Sequence, residues 1–229
     1  MLTVMFILAV MTLVAAAMCI LFRRSGKSFE GMICKFMASF GFVSTAILGY
    51  CYNPVNVMYF CLVCFALMFG WCGDVILGIK EIAPKFRGKL IPLGTVFFLI
   101  GHIFFLAAFM IKSGFSIIPL AAGIAVGIIG LILINLLMTE INAKLKALLA
   151  IYYTLLAYKA ATAVYLLATT GETAYIFASI GSILFVFSDT CLGLLYFTPT
   201  KRKNLLVTLE LSSYYPAQVF LALSMAFMA

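Results

Sequence analysis

Two aspartates, Asp74 and Asp189, stand inside long apolar runs and share a short phrase: Gly73-Asp74-Val75-Ile76-Leu77-Gly78 and Ser188-Asp189-Thr190-Cys191-Leu192-Gly193. They lie 115 residues apart in a chain of 229. A lone aspartate in a membrane helix costs about 2.5–3.5 kcal/mol on insertion scales, so two at equivalent positions call for a reason. One reason is structural: each aspartate only hydrogen-bonds a neighbouring helix, aided by close packing at Gly70, Gly73, Gly181 and Gly193. The other sets both carboxylates toward one interior cavity, for acid/base chemistry or proton-linked transport.

The remaining polar residues of the apolar runs are candidates for the same cavity. His102 is the single histidine, so a three-histidine metal site cannot form within one chain. It reads equally as a helix contact or as a member of the site. Glu210, Tyr214 and Gln218 fall at i, i+4 and i+8 and so share one helix face, which should look into the bundle. Tyr152 and Lys159 share a face two turns apart, and Lys159 could pair with an aspartate or meet a phosphate. Lys35 reads as a lysine snorkelling to the interface, or as a counter-charge for a lipid phosphate. The seven cysteines are scattered, and the one close pair, Cys61 and Cys64, has no second pair to complete a zinc site, so they read as packing residues.

Positioning these side chains requires membrane helices. Hydrophobic residues make up 66% of the chain and charged ones 10%, which places it among integral membrane proteins. Eight apolar stretches, 2–22, 32–50, 55–79, 91–111, 116–138, 147–168, 174–198 and 205–228, are each about long enough to cross a ~30 Å hydrocarbon layer. The net charge of +8 lies in short clusters between them, following membrane topology rather than a nucleic-acid stripe. The odd connections and their flanks hold nearly all the lysines and arginines, and the even ones only Lys112, so both termini are expected on the non-cytoplasmic side. The expected fold is thus all-α: a polytopic bundle of eight transmembrane helices in a single domain, 1–229. Two parallel four-helix repeats, 1–112 and 113–229, fit the duplicated phrase, with Asp74 roughly 8 Å and Asp189 roughly 12 Å inside their helix ends. In a bacterium the location would be the inner (plasma) membrane. Oligomeric state is not written in these features.

Four short motifs in order add a further expectation. Gly73-Asp74 with Leu77, then Phe97 and Gly101-His102, then Gly181, Phe185 and Ser188-Asp189, and finally Tyr214-Tyr215-Pro216-Ala217-Gln218 resemble the YhhN-like family of membrane lysoplasmalogenases over nearly the whole chain. Two positions depart from the family's pattern: Phe36 stands for a proline and Lys159 for an apolar residue. The resemblance implies a hydrolase that cleaves the vinyl ether bond of a lysophospholipid, a lysoplasmalogen, to a fatty aldehyde and a glycerophospho-alcohol. It makes Asp74 and Asp189 the catalytic candidates, with His102, Ser188, Tyr214 and Gln218 nearby.

Vinyl ether hydrolysis starts with proton transfer to the alkene carbon, which leaves an oxocarbenium ion. Water then adds, and the hemiacetal collapses. The tools are one carboxylic acid and one carboxylate, as in inverting glycoside hydrolysis, and no metal, nucleotide, other cofactor or serine nucleophile is demanded. Asp74 and Asp189 are expected to form this dyad. Lys35 would hold the substrate phosphate and the alkenyl chain would lie between apolar helices among membrane lipid. Tyr152, Ser188, Glu210, Tyr214 and Gln218 complete the expected substrate contacts. The alternative is a small proton-coupled transporter using the two intramembrane aspartates, although no Gly-Pro break coincides with either.

Overall fold

Eight α-helices make up the computed structural model, which describes residues 1–137 and 141–228. They are α1 (Leu2–Arg24), α2 (Ser28–Tyr52), α3 (Val57–Ile82), α4 (Arg87–Ser113), α5 (Ile117–Leu137), α6 (Ala143–Thr170), α7 (Thr173–Phe197) and α8 (Lys203–Leu223). Short 3-10 turns, Pro84–Phe86 and Ser224–Phe227, lead into α4 and prolong α8. Each expected apolar stretch holds one helix; Met138, the last residue of the fifth stretch, lies outside the described residues.

Local chemistry explains several helix ends. Asn56 and Asn142 precede α3 and α6, and each side-chain oxygen accepts a backbone N–H of the first turn, from Tyr59 at 3.0 Å and Leu145 at 2.8 Å. Gly171 closes α6 at φ 69°, a left-handed conformation that a Cβ would oppose.

Seven of the helices among the described residues, α1 to α7, are long and apolar enough to cross a membrane; α8 is not among them. The expectation of eight such segments is met in number of helices but not in apolarity. The reason is the place of α8. It packs against α1, α2 and α7, and from Glu210 onward most of its side chains are buried. A helix enclosed by other helices need not be lipid-soluble on every face. The converse holds for α5, which leans chiefly on α6 and buries only Pro119, Gly123, Gly127 and Ile134.

Consecutive helices pair as α1–α2, α3–α4, α5–α6 and α7–α8, while α4 also packs on α6, and α8 on α2. Asp74 sits eight residues before the end of α3, and Asp189 eight before the end of α7. At 1.5 Å per residue both lie about 12 Å inside their helix ends, so the two depths agree more closely than the apolar stretches suggest. The extra turn of α3 carries Lys80 and Glu81. Lys80 is held over the Tyr196 ring, 3.9 Å from its centroid, and Glu81 by Arg23 at 2.8 Å.

Candidate active site

Each aspartate is enclosed by its own set of partners. Asp74 is 1% exposed. Its Oδ2 accepts from Ser39 Oγ at 2.6 Å and Tyr214 Oη at 2.7 Å. Its Oδ1 lies 3.0 Å from the Lys35 ammonium, a contact of charge between two buried groups. Gln218, one turn along α8, donates to Tyr214 Oη at 3.0 Å, so the amide steadies the phenol that steadies the carboxylate. Lys35 and Ser39 are one turn apart on α2, and Tyr215 donates to the Lys35 carbonyl at 3.2 Å.

Asp189 is enclosed differently. Tyr152 on α6 donates its hydroxyl to Oδ2, and Tyr153 donates to the Asp189 backbone carbonyl at 2.7 Å. His102 Nε2 lies 3.0 Å from the Tyr152 oxygen and 3.9 Å from Asp189 Oδ2. Because the one phenolic proton points to Asp189, the Tyr152 oxygen accepts from His102, which assigns the ring proton to Nε2. His102, Tyr152 and Asp189 thus form a directed chain of exchangeable protons. The parallel with Gln218, Tyr214 and Asp74 is direct: in both chains a tyrosine hydroxyl joins an aspartate to a second polar side chain.

The two carboxyls line separate recesses. The Phe98, Phe185 and Tyr214 rings stand together between the two clusters, with centroids 5.3–6.5 Å apart. Asp189, Tyr152, Phe98, Leu77 and Tyr196 line a cavity of about 30 Å³. Asp74 instead borders a recess of about 140 Å³ between α2 and α3, with Met32, Ile33, Phe36 and Val75. The expectation of two carboxylates facing one interior cavity is not met in this conformation, because an aromatic wall fills the space between them. A third recess, of about 10 Å³, touches Lys35, Arg23 and Glu81, and Leu77 lines it as well as the Asp189 cavity. One leucine side chain therefore lies between the Asp189 cavity and the Lys35 recess.

Lys35 is 5% exposed and points to Asp74, so it does not snorkel; the carboxylate is the nearer, stronger partner. Glu210 lies 3.7 Å from Arg23, in an ionic group with Glu81 and Lys80, and is within electrostatic reach of Lys35, the cation that pairs with Asp74. Ser188 Oγ donates to the Glu210 carbonyl at 3.2 Å, a tie between α7 and α8, and does not reach either carboxyl. Glu210, Tyr214 and Gln218 are all buried, as their shared face implied. Lys159 is fully buried and makes no ion pair with Asp189; its Nζ lies over Phe185 and Phe105, 4.6 and 5.3 Å from their centroids.

Sequence reasoning missed Ser39, Tyr215, Tyr153 and Arg23. Ser39 carried one signal, its position one turn after Lys35. Among the described residues no three of histidine, cysteine, aspartate and glutamate converge to hold a metal ion.

The sequence profile of the YhhN family matches residues 32–225, a stretch from α2 to the last turn that holds both aspartates and all their hydrogen-bonding and charge partners. Neither the curated proteins nor the solved structures give a match. The matched stretch covers well over half of the chain, and the chain belongs to the YhhN family.

Proposed function

We propose that the chain is a membrane hydrolase that cleaves the vinyl ether bond of lysoplasmalogens, with Asp189 as the proton donor and Asp74 as the carboxylate. The observation that carries this reading is the His102–Tyr152–Asp189 chain, which ends on a cavity. Asp189 delivers a proton to the alkene carbon next to the ether carbon, and the proton that the attacking water later gives up restores it, while His102 and Tyr152 hold the Asp189 carboxyl in place. The positive charge then rests on the ether carbon and oxygen. Once the aromatic wall has moved aside, Asp74, held by Ser39, faces this charge and directs water to the carbon. The hemiacetal collapses to a fatty aldehyde and the glycerophospho-alcohol, and the oxygen that enters is that of the water.

A lipid needs more room than the resting cavity offers. Ligand pockets run to about 300–1,000 Å³, against about 30 Å³ beside Asp189. Substrate entry therefore moves the wall, and Leu77 and Phe98 are the side chains whose displacement joins the cavity to its neighbours. The phosphate would then lie toward Arg23, Lys80 and Arg87 at the helix ends, near Tyr196.

The test is incubation of purified protein with alkenyl and acyl lysolipids. Aldehyde from the alkenyl lipid supports the reading; fatty acid from the acyl lipid makes the protein an esterase and overturns it. A second reading, a small proton-coupled transporter, is favoured by one observation: the two carboxyls border separate cavities. Absence of either product, together with collapse of a pH gradient in proteoliposomes that Asp189→Asn abolishes, would replace the first reading with the second.

A further inference from the structure

We propose that Lys159 is a carbonyl-capturing amine, the residue on which a fatty aldehyde inside the bundle condenses as a Schiff base. The aldehyde as ligand class rests on the hydrolase reading above; the reactivity of the amine rests on its surroundings. Lys159 is 0% exposed, and its Nζ has no hydrogen-bond partner among the described residues. The other two buried lysines are paired, Lys35 with Asp74 at 3.0 Å and Lys80 with Glu81 at 2.6 Å. Burial of an amine without an acceptor is costly, so the one buried lysine among the described residues that meets only aromatic rings asks for a use. A lysine desolvated among apolar side chains is the setting in which the residue serves as a nucleophile toward carbonyls.

Its place fits that use. Lys159 lies two turns after Tyr152 on α6, and both are buried. The Phe185 ring meets the Lys159 amine on one side and the His102 ring on another, with centroids 4.6 Å apart in the latter pair. A single phenyl group thus separates the amine from the His102–Tyr152–Asp189 chain, and Asp189 and His102 are within electrostatic reach of Nζ. Phe185 belongs to the aromatic wall that must yield when a lipid enters.

The step balances without an oxidant. The Nζ lone pair adds to the carbonyl carbon, and the carbonyl oxygen takes a proton to give a carbinolamine. That oxygen leaves as water with the two hydrogens of the amine, and the C=N bond forms; one water reverses the process. Capture of this kind holds the product inside the bundle, so aldehyde slows further turnover in a saturable and reversible way.

Purified protein in detergent is treated with hexadecanal and sodium cyanoborohydride, which reduces an imine to a stable secondary amine, and the sites are mapped by peptide mass. The expected result is an alkyl adduct on Lys159 at low aldehyde, ahead of the exposed Lys144 and Lys201. Lys159→Arg, which keeps a cation but cannot condense in this way, loses that adduct only. Adducts on the exposed lysines with Lys159 unmodified, or no adduct at all, overturn the proposal, and the wild-type map alone decides if the variant fails to fold. Added aldehyde makes the result independent of turnover: lack of aldehyde release from alkenyl lipid would sink the hydrolase reading, not this one.

Discussion

At the scale of single residues the two aspartates differ in what their loss exposes. Asp189 is held by a phenol and approached by an imidazole, so Asp189→Asn leaves no full charge stranded at hydrogen-bond distance. The expected outcome is a folded, monodisperse protein whose aldehyde release falls about 10²–10⁴-fold, the usual contribution of a general acid. Full activity in that variant would remove Asp189 from the chemistry. Asp74→Asn is a different experiment, because it leaves the buried Lys35 ammonium without its carboxylate. Breaking one side of a buried pair costs about 3–5 kcal/mol, whereas replacing both sides is often close to neutral. Thermal unfolding in detergent should therefore show Asp74→Asn well below wild type, and Lys35→Met with Asp74→Asn substantially recovered. Additive losses would mean that the pair is not coupled. The double variant is then the proper test of Asp74 in catalysis, since inactivity of the single variant mixes chemistry with folding.

At the scale of helices, close approach of backbones decides what can be substituted. A Cβ built on Gly181 of α7 would stand 2.8 Å from the Ala217 carbonyl oxygen of α8, and on Gly101 of α4 2.9 Å from the Ala66 carbonyl oxygen of α3. Backbone atoms cannot rotate aside, so Gly181→Ala must part α7 from α8, with a cost of about 1–3 kcal/mol. Gly88, in the first turn of α4, has nothing within 4 Å of the same position. There Gly88→Ala is expected to stabilise by about 0.4–1 kcal/mol through the unfolded chain. Equal melting temperatures for the two variants would contradict this packing. The helices themselves were legible because lipid-facing surface must be apolar, and α5 shows the pattern at full strength. What an apolarity pattern cannot convey is which polar side chain meets which. Lys35 looked like an interfacial lysine because its depth follows from position along the chain, while its partner lies on α3. Ser39 gave little sign, because a helical serine ordinarily gives its one proton to the carbonyl four residues back, which here, on Lys35, lies 2.9 Å away and competes with the closer Asp74 for it. Its second contact, with Asp74, depends on how α2 and α3 pack. The aromatic wall was missed for the same reason: Phe98, Phe185 and Tyr214 come from three helices and meet only in the folded bundle.

At the scale of the whole molecule, orientation in the membrane determines which leaflet can feed the site. The helix ends that carry Arg23, Lys80, Arg87 and Lys203 all lie at one face, and Asp74 and Asp189 are about 12 Å from that face by helix rise. At the other face Lys112 sits 3.7 Å from Glu172. The bias of lysine and arginine predicts that the first face is cytoplasmic. A lysolipid in the inner leaflet would then present its phosphate to the basic helix ends, with its vinyl ether bond, a few atoms deeper, near the depth of the aspartates. The check is labelling by a membrane-impermeant maleimide in a background with the seven cysteines replaced by alanine. Phe115→Cys, in the connection between α4 and α5, should react in intact cells, and Lys201→Cys, between α7 and α8, only after permeabilisation; both positions are exposed. The reverse pattern would invert the bundle and bring both aspartates close to the outer leaflet. On the proposed reading the substrate would then come from lipid outside the cell, and the basic helix ends would have to be explained by something other than topology.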